Sequence, residues 1–460
     1  MSIHRALKPH RRSLASLGER LLTAEHPDFD HARRAWNLAV DQRPAAVITP
    51  ACVEDVVAAV ELAQQAGLRI APQGTGHGAA ALGRLEDTIL LRTDRLREVH
   101  VDADNRLVRV EAGVTWAEAV EAAGAHGLAL IAGSSPDVGV AGYTLGGGLS
   151  WLGRKHGLAC NSVEAVELVT ASGRVIRADR DHEPELFWAL RGGGGNFGVV
   201  TAIELRAFPT TDIYAGLLWW PIERGHEVLQ RWRELTRSEM PDDLTTVGRY
   251  LRLPPLPEVP EPLRGRSFVI VEAYHLGDPA EADELLAPLR ALEPETDTID
   301  TLAIPELIHL SLDPDHPVPV VGDGAMLGDL PPEAIDELAR VAGHEVDSPL
   351  LSVEIRHLGG ELARTQSGHG VLGSIEAPYA MFAVGITPDA STASTVGAAI
   401  SELAVGMSPW TAPSMYMNFA ETRRAPTALW SEHGYRRLCQ IKAQLDPDDL
   451  IRANHPIVPA

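Results

Sequence analysis

The sequence contains no run of about 18 uncharged apolar residues, the length that a membrane helix needs, and it predicts a protein that spans no membrane. Arg11 and Arg12 resemble a twin-arginine export signal, but Glu19, Arg20 and Glu25 interrupt the apolar stretch such a signal carries; a cytoplasmic location is expected. Cysteine is scarce. Cys52, Cys160 and Cys439 are odd in number, widely scattered and lack the paired spacing of a zinc site, so they read as reduced structural thiols. Basic charge is also short: 40 Lys and Arg stand against 63 Asp and Glu, and the formal charge of -23 repels phosphate backbones, so no nucleic acid partner is expected. A Gly-x-Ser-x-Gly elbow, a Gly-Lys-Ser/Thr phosphate loop and an internal repeat are all missing.

What is present points to a two-part globular chain. Its 460 residues exceed the roughly 250 to 300 at which a single core stops growing, and 45% apolar residues supply ample core. Residues 46–49 read as a strand, 53–66 as a helix stopped by Gly67, and 68–71 as a second strand. Short β-like runs follow at 88–92, 99–101 and 107–110, a helix starts near Thr115, and strands at 165–170 and 175–177 precede a short helix near 186–190 and a strand at 199–206. From about 213 the glycine clusters thin out, and helices near 225–238 and 279–292 alternate with extended runs at 268–273, 351–356 and 381–386. The predicted fold is α+β: residues 1–212 with the segment 409–460, which holds a helix at 435–445, form one unit (core about 40–210), and 213–408 an inserted α/β substrate domain in which helices cover an antiparallel sheet.

Three glycine-rich segments lie in the first half. Gln73-Gly74-Thr75-Gly76-His77-Gly78 follows a strand, Gly139 to Gly148 holds five glycines, and Arg191 to Gly198 exposes backbone again. Bare backbone lets amides approach an anion, so the three read as the cradle of one extended ligand. A Rossmann, NAD(P)-dependent dehydrogenase is the rival reading, but no helix able to receive a pyrophosphate follows Gly78.

These segments, with Gly133-Ser-Ser-Pro136, Trp151 to Leu158, Leu186 to Thr201, Tyr416-Met-Asn418 and Asp446 to Asn454, resemble the FAD-linked oxidases of the vanillyl-alcohol-oxidase superfamily with the PCMH-type FAD-binding fold, in particular the berberine-bridge-enzyme-like branch. The resemblance spans nearly the whole chain. It implies FAD bonded covalently to His77, whose neutral imidazole is a competent nucleophile near neutral pH. It also implies cofactor contacts from Gln73, Gly74, Thr75, Gly76 and Gly78, from Ser135, Val138, Gly139, Gly142, Gly146, Gly147 and Gly148, and from Val200, Asn418 and Asn454. Many relatives make a second bond through a cysteine where this chain has Ser135, so one bond is expected here, and Cys160 is no substitute. Gln73 and Thr75 depart from the usual arginine and glycine.

Hydride transfer to flavin N5 requires a titratable group over the ring. The resemblance assigns that place to Tyr416, and service as a base would require a nearby cation to pull the phenol down by roughly 3 kcal/mol. Leu149 stands where some relatives carry a second tyrosine, and Glu354, Arg356 and His357 are further pocket candidates. Val138 matches the position at which family members with valine tend to admit O2, which implies an oxidase releasing H2O2. His309, Asp313, Asp315 and His316 read as a proline-broken acidic loop, with no metal site expected. The sequence therefore predicts an FAD-dependent oxidation of a small alcohol, amine or activated C–H compound, as in natural-product pathways. A non-catalytic flavin-binding protein is the other rival.

Overall fold

The computed structural model describes residues 17–257, 259–314 and 316–460, so Arg11, Arg12 and Asp315 lie outside the described residues. Three large sheets organise them, beside a two-stranded pair of Leu128–Ala129 with Phe208–Pro209. In the first, Ala46–Ile48, Thr88–Arg92 and Arg69–Gln73 run parallel with Thr88–Arg92 in the middle, and Leu21–Leu22 adds antiparallel at the edge. Helix Val53–Ala66 links two of these strands. Its Val56, Ala59, Val60 and Ala63 recur at helical spacing and bury a stripe against Ile48, Ile70, Ile89 and Leu91.

The second sheet is antiparallel, in the order Val99–Asp102, Leu107–Glu111, Val199–Arg206, Val163–Val169, Val175–Asp179. Helix Trp116–Gly124 packs on it, started by a capping box between Thr115 and Glu118. Trp116 is fully buried in this core, a burial that contributes on the order of 3 kcal/mol.

The third sheet is the largest and runs antiparallel from Thr296–Asp297 through Asp212–Pro221, Ser267–His275, Leu244–Arg252, Ser352–His357 and Tyr379–Ile386 to Val320–Leu327. Helices Gly225–Thr236, Pro279–Arg290, Pro332–Ala342 and Ala390–Met407 cover one face of it, where Val269, Val271, Val353 and Ile355 join their apolar sides. Successive strand residues point to opposite faces, so Arg249, Ser352, Glu354 and Arg356 face away from these helices, toward the first half of the chain. Five strands of this sheet, Asp212–Pro221, Leu244–Arg252, Thr296–Asp297, Asp300–Ala303 and Val320–Leu327, and the last two of these helices were absent from the sequence reading.

The C-terminal helix Glu432–Leu445 leads the chain back, and Ile451 bridges Ile70 of the first sheet. No helix among the described residues is long and apolar enough to cross a membrane.

Candidate active site

A cavity of about 450 Å³ lies where the large sheet meets the glycine-rich segments. Strand Arg69–Gln73 delivers the first segment to its wall: Gln73 to Gly78 all border it. The amides of Gly74, Thr75 and Gly76 have no acceptor among the described residues, so three N–H groups remain for a ligand. Gln73 itself is buried and tied to Gln42 by two side-chain hydrogen bonds of 2.8 and 3.1 Å. After Gly78 the chain makes only a short 3-10 turn, His77–Leu82, which is no receiver for a dinucleotide pyrophosphate.

His77 is held from three sides. Its ring stacks on Trp36 with centroids 4.1 Å apart and planes at 21°, Nδ1 lies 2.7 Å from the Thr75 hydroxyl oxygen, and Nε2 lies 3.4 Å from Asp137 Oδ1. The Trp36 indole N–H donates to the other Asp137 oxygen.

The second segment contributes Gly139, Gly142 and Gly146 to the wall, and Ser135 and Val138 just before it border the cavity too. A side chain at Gly142 would meet nothing within 4 Å, whereas one at Gly146 would lie 1.9 Å from Asn418 Oδ1; only glycine lets this backbone and Asn418 share the space. Both serines, Ser134 and Ser135, donate to Asp313 at 2.9 and 2.8 Å. Val200 and Asn454 also border the cavity, as do Gly194, Gly195 and Gly198 of the third segment.

Tyr416 enters from the C-terminal segment and is 3% exposed. Its phenol oxygen accepts the Leu149 amide at 2.9 Å and Asn418 Nδ2 at 3.0 Å, and Asn418 also donates to the Tyr143 carbonyl. Opposite stand Arg249, Glu354 and Arg356 on the sheet. Arg356 pairs with Glu354 at 2.7 Å and lies over the rings of Trp151 (4.3 Å) and Phe419 (5.0 Å). Arg249 is 3% exposed, lies 3.3 Å from the fully buried Glu272 and leaves its Nε unpartnered. Burial, opposed by Arg249, pushes the Glu272 carboxyl up.

Four expectations are corrected. Gly147 and Gly148 do not border the cavity: they turn the chain with φ of +125° and +80°, and a side chain on Gly148 would strike Ala159 at 2.4 Å. His357 has the parity of Val353 and Ile355, so it points under the helices beside Tyr379, and burial with Arg154 nearby pushes it down to about 3. The Tyr416 phenol is not pulled down. Burial raises it, only partly offset by the Leu149 amide, Arg356 and Asn418, so at neutral pH it keeps its proton. With N–H donors on its oxygen, that proton is the group it has to offer.

Trp36, Asp137, Arg249 and the role of Asp313 escaped the sequence reading. Asp137 adjoins the Gly133–Pro136 segment and was within reach; Trp36 is isolated, and nothing near it in sequence marks it. Cys160 is buried away from the cavity, and burial pushes its thiol up to about 12.

A wall of free amides and bare glycines at one end, a buried tyrosine and paired charges at the other, define the site of a flavin-dependent oxidoreductase. Residues 44–179 match the family described as FAD binding domain, and residues 415–458 the family described as berberine and berberine like. The chain thus carries an FAD-binding domain and a berberine-like segment, and it is similar to FAD-linked oxidoreductases. It is 26% identical over 452 residues to the FAD-linked oxidoreductase aurO of Gibberella zeae, covering 96% of this chain and 86% of that protein. With (R)-6-hydroxynicotine oxidase of Paenarthrobacter nicotinovorans it shares 35% over 199 residues, and with glucooligosaccharide oxidase of Sarocladium strictum 34% over 226. Those two matches span 43% and 44% of the relatives' lengths, less than half of each. The fold of BBE-like 1 from Physcomitrella patens superposes with a TM-score of 0.83 at 20% identity, over 97% of this chain and 98% of that one. For 6-hydroxy-D-nicotine oxidase from Arthrobacter nicotinovorans the TM-score is 0.80 at 23% identity, over 96% and 98%.

Proposed function

We propose that the protein oxidises a small organic metabolite, an alcohol, amine or activated C–H compound, by hydride transfer to the N5 of FAD bonded covalently to His77. The single observation carrying this reading is the convergence of the glycine walls, His77 and Tyr416 on one cavity. The residues fit the group: the free amides of Gly74 to Gly76 suit its pyrophosphate, and the buried Tyr143 hydroxyl on the cavity wall has no protein partner. FAD, when bound, supplies the two-electron acceptor.

The protein's own part is to bind, orient and exclude water. Residues 1–212 and 409–460 hold the cofactor in this reading, and 213–408 roof the substrate. Tyr416 presents its O–H to a substrate oxygen or nitrogen, while Arg249, Glu354 and Arg356 fix polar groups farther out. Val138 on the wall leaves room for O2, whose reduction to H2O2 completes the cycle. The oxidase names borne by two relatives agree with this chemistry.

The test is acid precipitation followed by intact mass. A yellow pellet, heavier by one FAD, is expected for the wild type and lost in His77→Ala. A colourless denatured chain of unmodified mass refutes the linkage, and a colourless native protein refutes the flavin assignment. A flavin that no alcohol, amine or sugar bleaches under anaerobic conditions would leave only the non-catalytic reading.

A further inference from the structure

We infer that Asp137 is the positioning residue for His77: it keeps the imidazole proton on Nε2 and thereby makes Nδ1 the atom that bonds FAD. This rests on the covalent reading above. His77 Nε2 and Asp137 Oδ1 lie 3.4 Å apart, and both atoms are buried without a hydrogen bond, to each other or to any other group. The second carboxylate oxygen is committed to the Trp36 indole N–H. Trp36 is itself anchored, since its backbone amide donates to the Thr75 carbonyl at 2.9 Å and its ring covers the imidazole.

An ionised carboxylate only accepts, so the nitrogen turned to it must carry the hydrogen. The lone pair then resides on Nδ1, where the Thr75 hydroxyl donates to it at 2.7 Å. Thr75 and His77 border the cavity and Asp137 does not. Linkage forms a C–N bond between Nδ1 and the flavin methyl carbon. One hydrogen leaves that methyl, the Nε2 hydrogen leaves toward Asp137, and the two electrons pass through FAD to dioxygen, which departs as hydrogen peroxide. The carboxylate also faces the positive charge that the ring carries between alkylation of Nδ1 and departure of the Nε2 hydrogen.

Asp137→Asn is the discriminating change. The new side chain has one acceptor, which the Trp36 N–H claims, and its NH2 group then faces Nε2. That orientation requires a lone pair on Nε2, drives the proton to Nδ1 and blocks the linking atom. An Asp→Asn change that traps the wrong histidine tautomer slows a serine protease about 10⁴-fold. The experiment incubates apo-protein with FAD in air, follows the covalent fraction by intact mass against time, and measures total bound FAD by absorbance.

Wild type is expected to couple at Nδ1, as read by NMR of the flavin peptide. Asp137→Asn should bind FAD yet couple at least ~10-fold more slowly, and Asp137→Ala, which leaves the tautomer free, should fall between them. Coupling of Asp137→Asn at the wild-type rate, linkage through Nε2 in the wild type, or parallel loss of non-covalent FAD binding in both variants would overturn the inference. None of these outcomes touches the covalent reading, which fails separately if wild type gains no mass or His77→Ala still does.

Discussion

Replacing Asp446 with alanine should destabilise the protein by about 3–5 kcal/mol, the cost of leaving one member of a buried ion pair alone. Lys442 is fully buried, and its ammonium donates to Asp446 Oδ2 at 2.5 Å, the Asn196 carbonyl at 2.8 Å and the Ile451 carbonyl at 3.1 Å. Asp446, 1% exposed, also accepts the amides of Leu450 and Ile451 at 2.7 and 2.8 Å. Alanine therefore leaves the buried ammonium with only the longer, partly exposed carboxylate contact to Asp449 at 3.5 Å and strands two buried amides at once. Each orphaned amide alone costs roughly 1–3 kcal/mol, but these losses share one cavity and do not add. Asp446→Asn keeps an acceptor for one amide and should cost less. Lys442→Met combined with Asp446→Asn should recover much of that loss, because no unpaired charge remains. The effect reaches the site through Asn196, whose side chain grips Gly193, His455 and Ile457 and whose carbonyl Lys442 holds, so the glycine segment Arg191–Gly198 should loosen and non-covalent flavin affinity fall. Thermal and urea denaturation of the four proteins, with FAD titration of His77→Ala backgrounds, reads both effects. A loss below about 1 kcal/mol in Asp446→Ala, or no recovery in the double variant, refutes the assumption that this pair acts as a buried electrostatic unit.

Tyr416→Phe removes the acceptor of the buried Leu149 amide while Asn418 keeps the Tyr143 carbonyl. It should cost about 1–3 kcal/mol in thermal denaturation, leave the covalent mass intact and slow anaerobic flavin bleaching by roughly 10²–10⁴; unchanged bleaching excludes Tyr416 from the chemistry. Glu421 lines the cavity, and burial with Asp323 beside it pushes its carboxyl up to about 8 from 4.5. The folded state thus binds this proton more tightly than the unfolded state, and the stability it supports declines as pH rises from about 4.5 to about 8. Glu421→Gln should become progressively more stable relative to wild type across that window in melting curves taken from pH 4 to 9; a constant offset would show that the carboxyl titrates normally.

Much of the first half was legible because its elements are locally consistent. Val53–Ala66 carries a helical stripe between turn signals, and Thr115 with Glu118 announces the next helix. Strand Val320–Leu327 was not, since two glycines and Asp323 in eight residues are turn formers that mask its strand character. The structure uses those glycines to admit rings: side chains there would meet Phe382 at 2.9 Å and Phe419 at 2.7 Å, so sheet pairing and aromatic packing replace local propensity. Helix Ala390–Met407 is rich in Ser, Thr and Gly and has only Val396, Leu403 and Met407 buried, too sparse a stripe to stand out.

At the site the limit was phase rather than identity. Glu354, Arg356 and His357 were all placed on one strand, yet only the first two reach the cavity. Strand phase is read from alternation of apolar and polar residues, and Ser352–His357 is buried at every position, helices on one side and the cavity on the other. One face is therefore apolar against the helices and the other polar where a ligand sits, and alternation alone does not tell a buried polar face from a solvated one. What tells them apart is register: Arg356 lies opposite Val247 and Glu354 opposite Arg249, so the charged row continues from strand to strand while Ile355 opposes Gly248 beneath the Trp232 ring. The same reasoning explains Tyr416, whose place in a short motif was readable but whose raised phenol depends on burial and on the Leu149 amide, features that exist only once the C-terminal segment has docked on the second glycine segment.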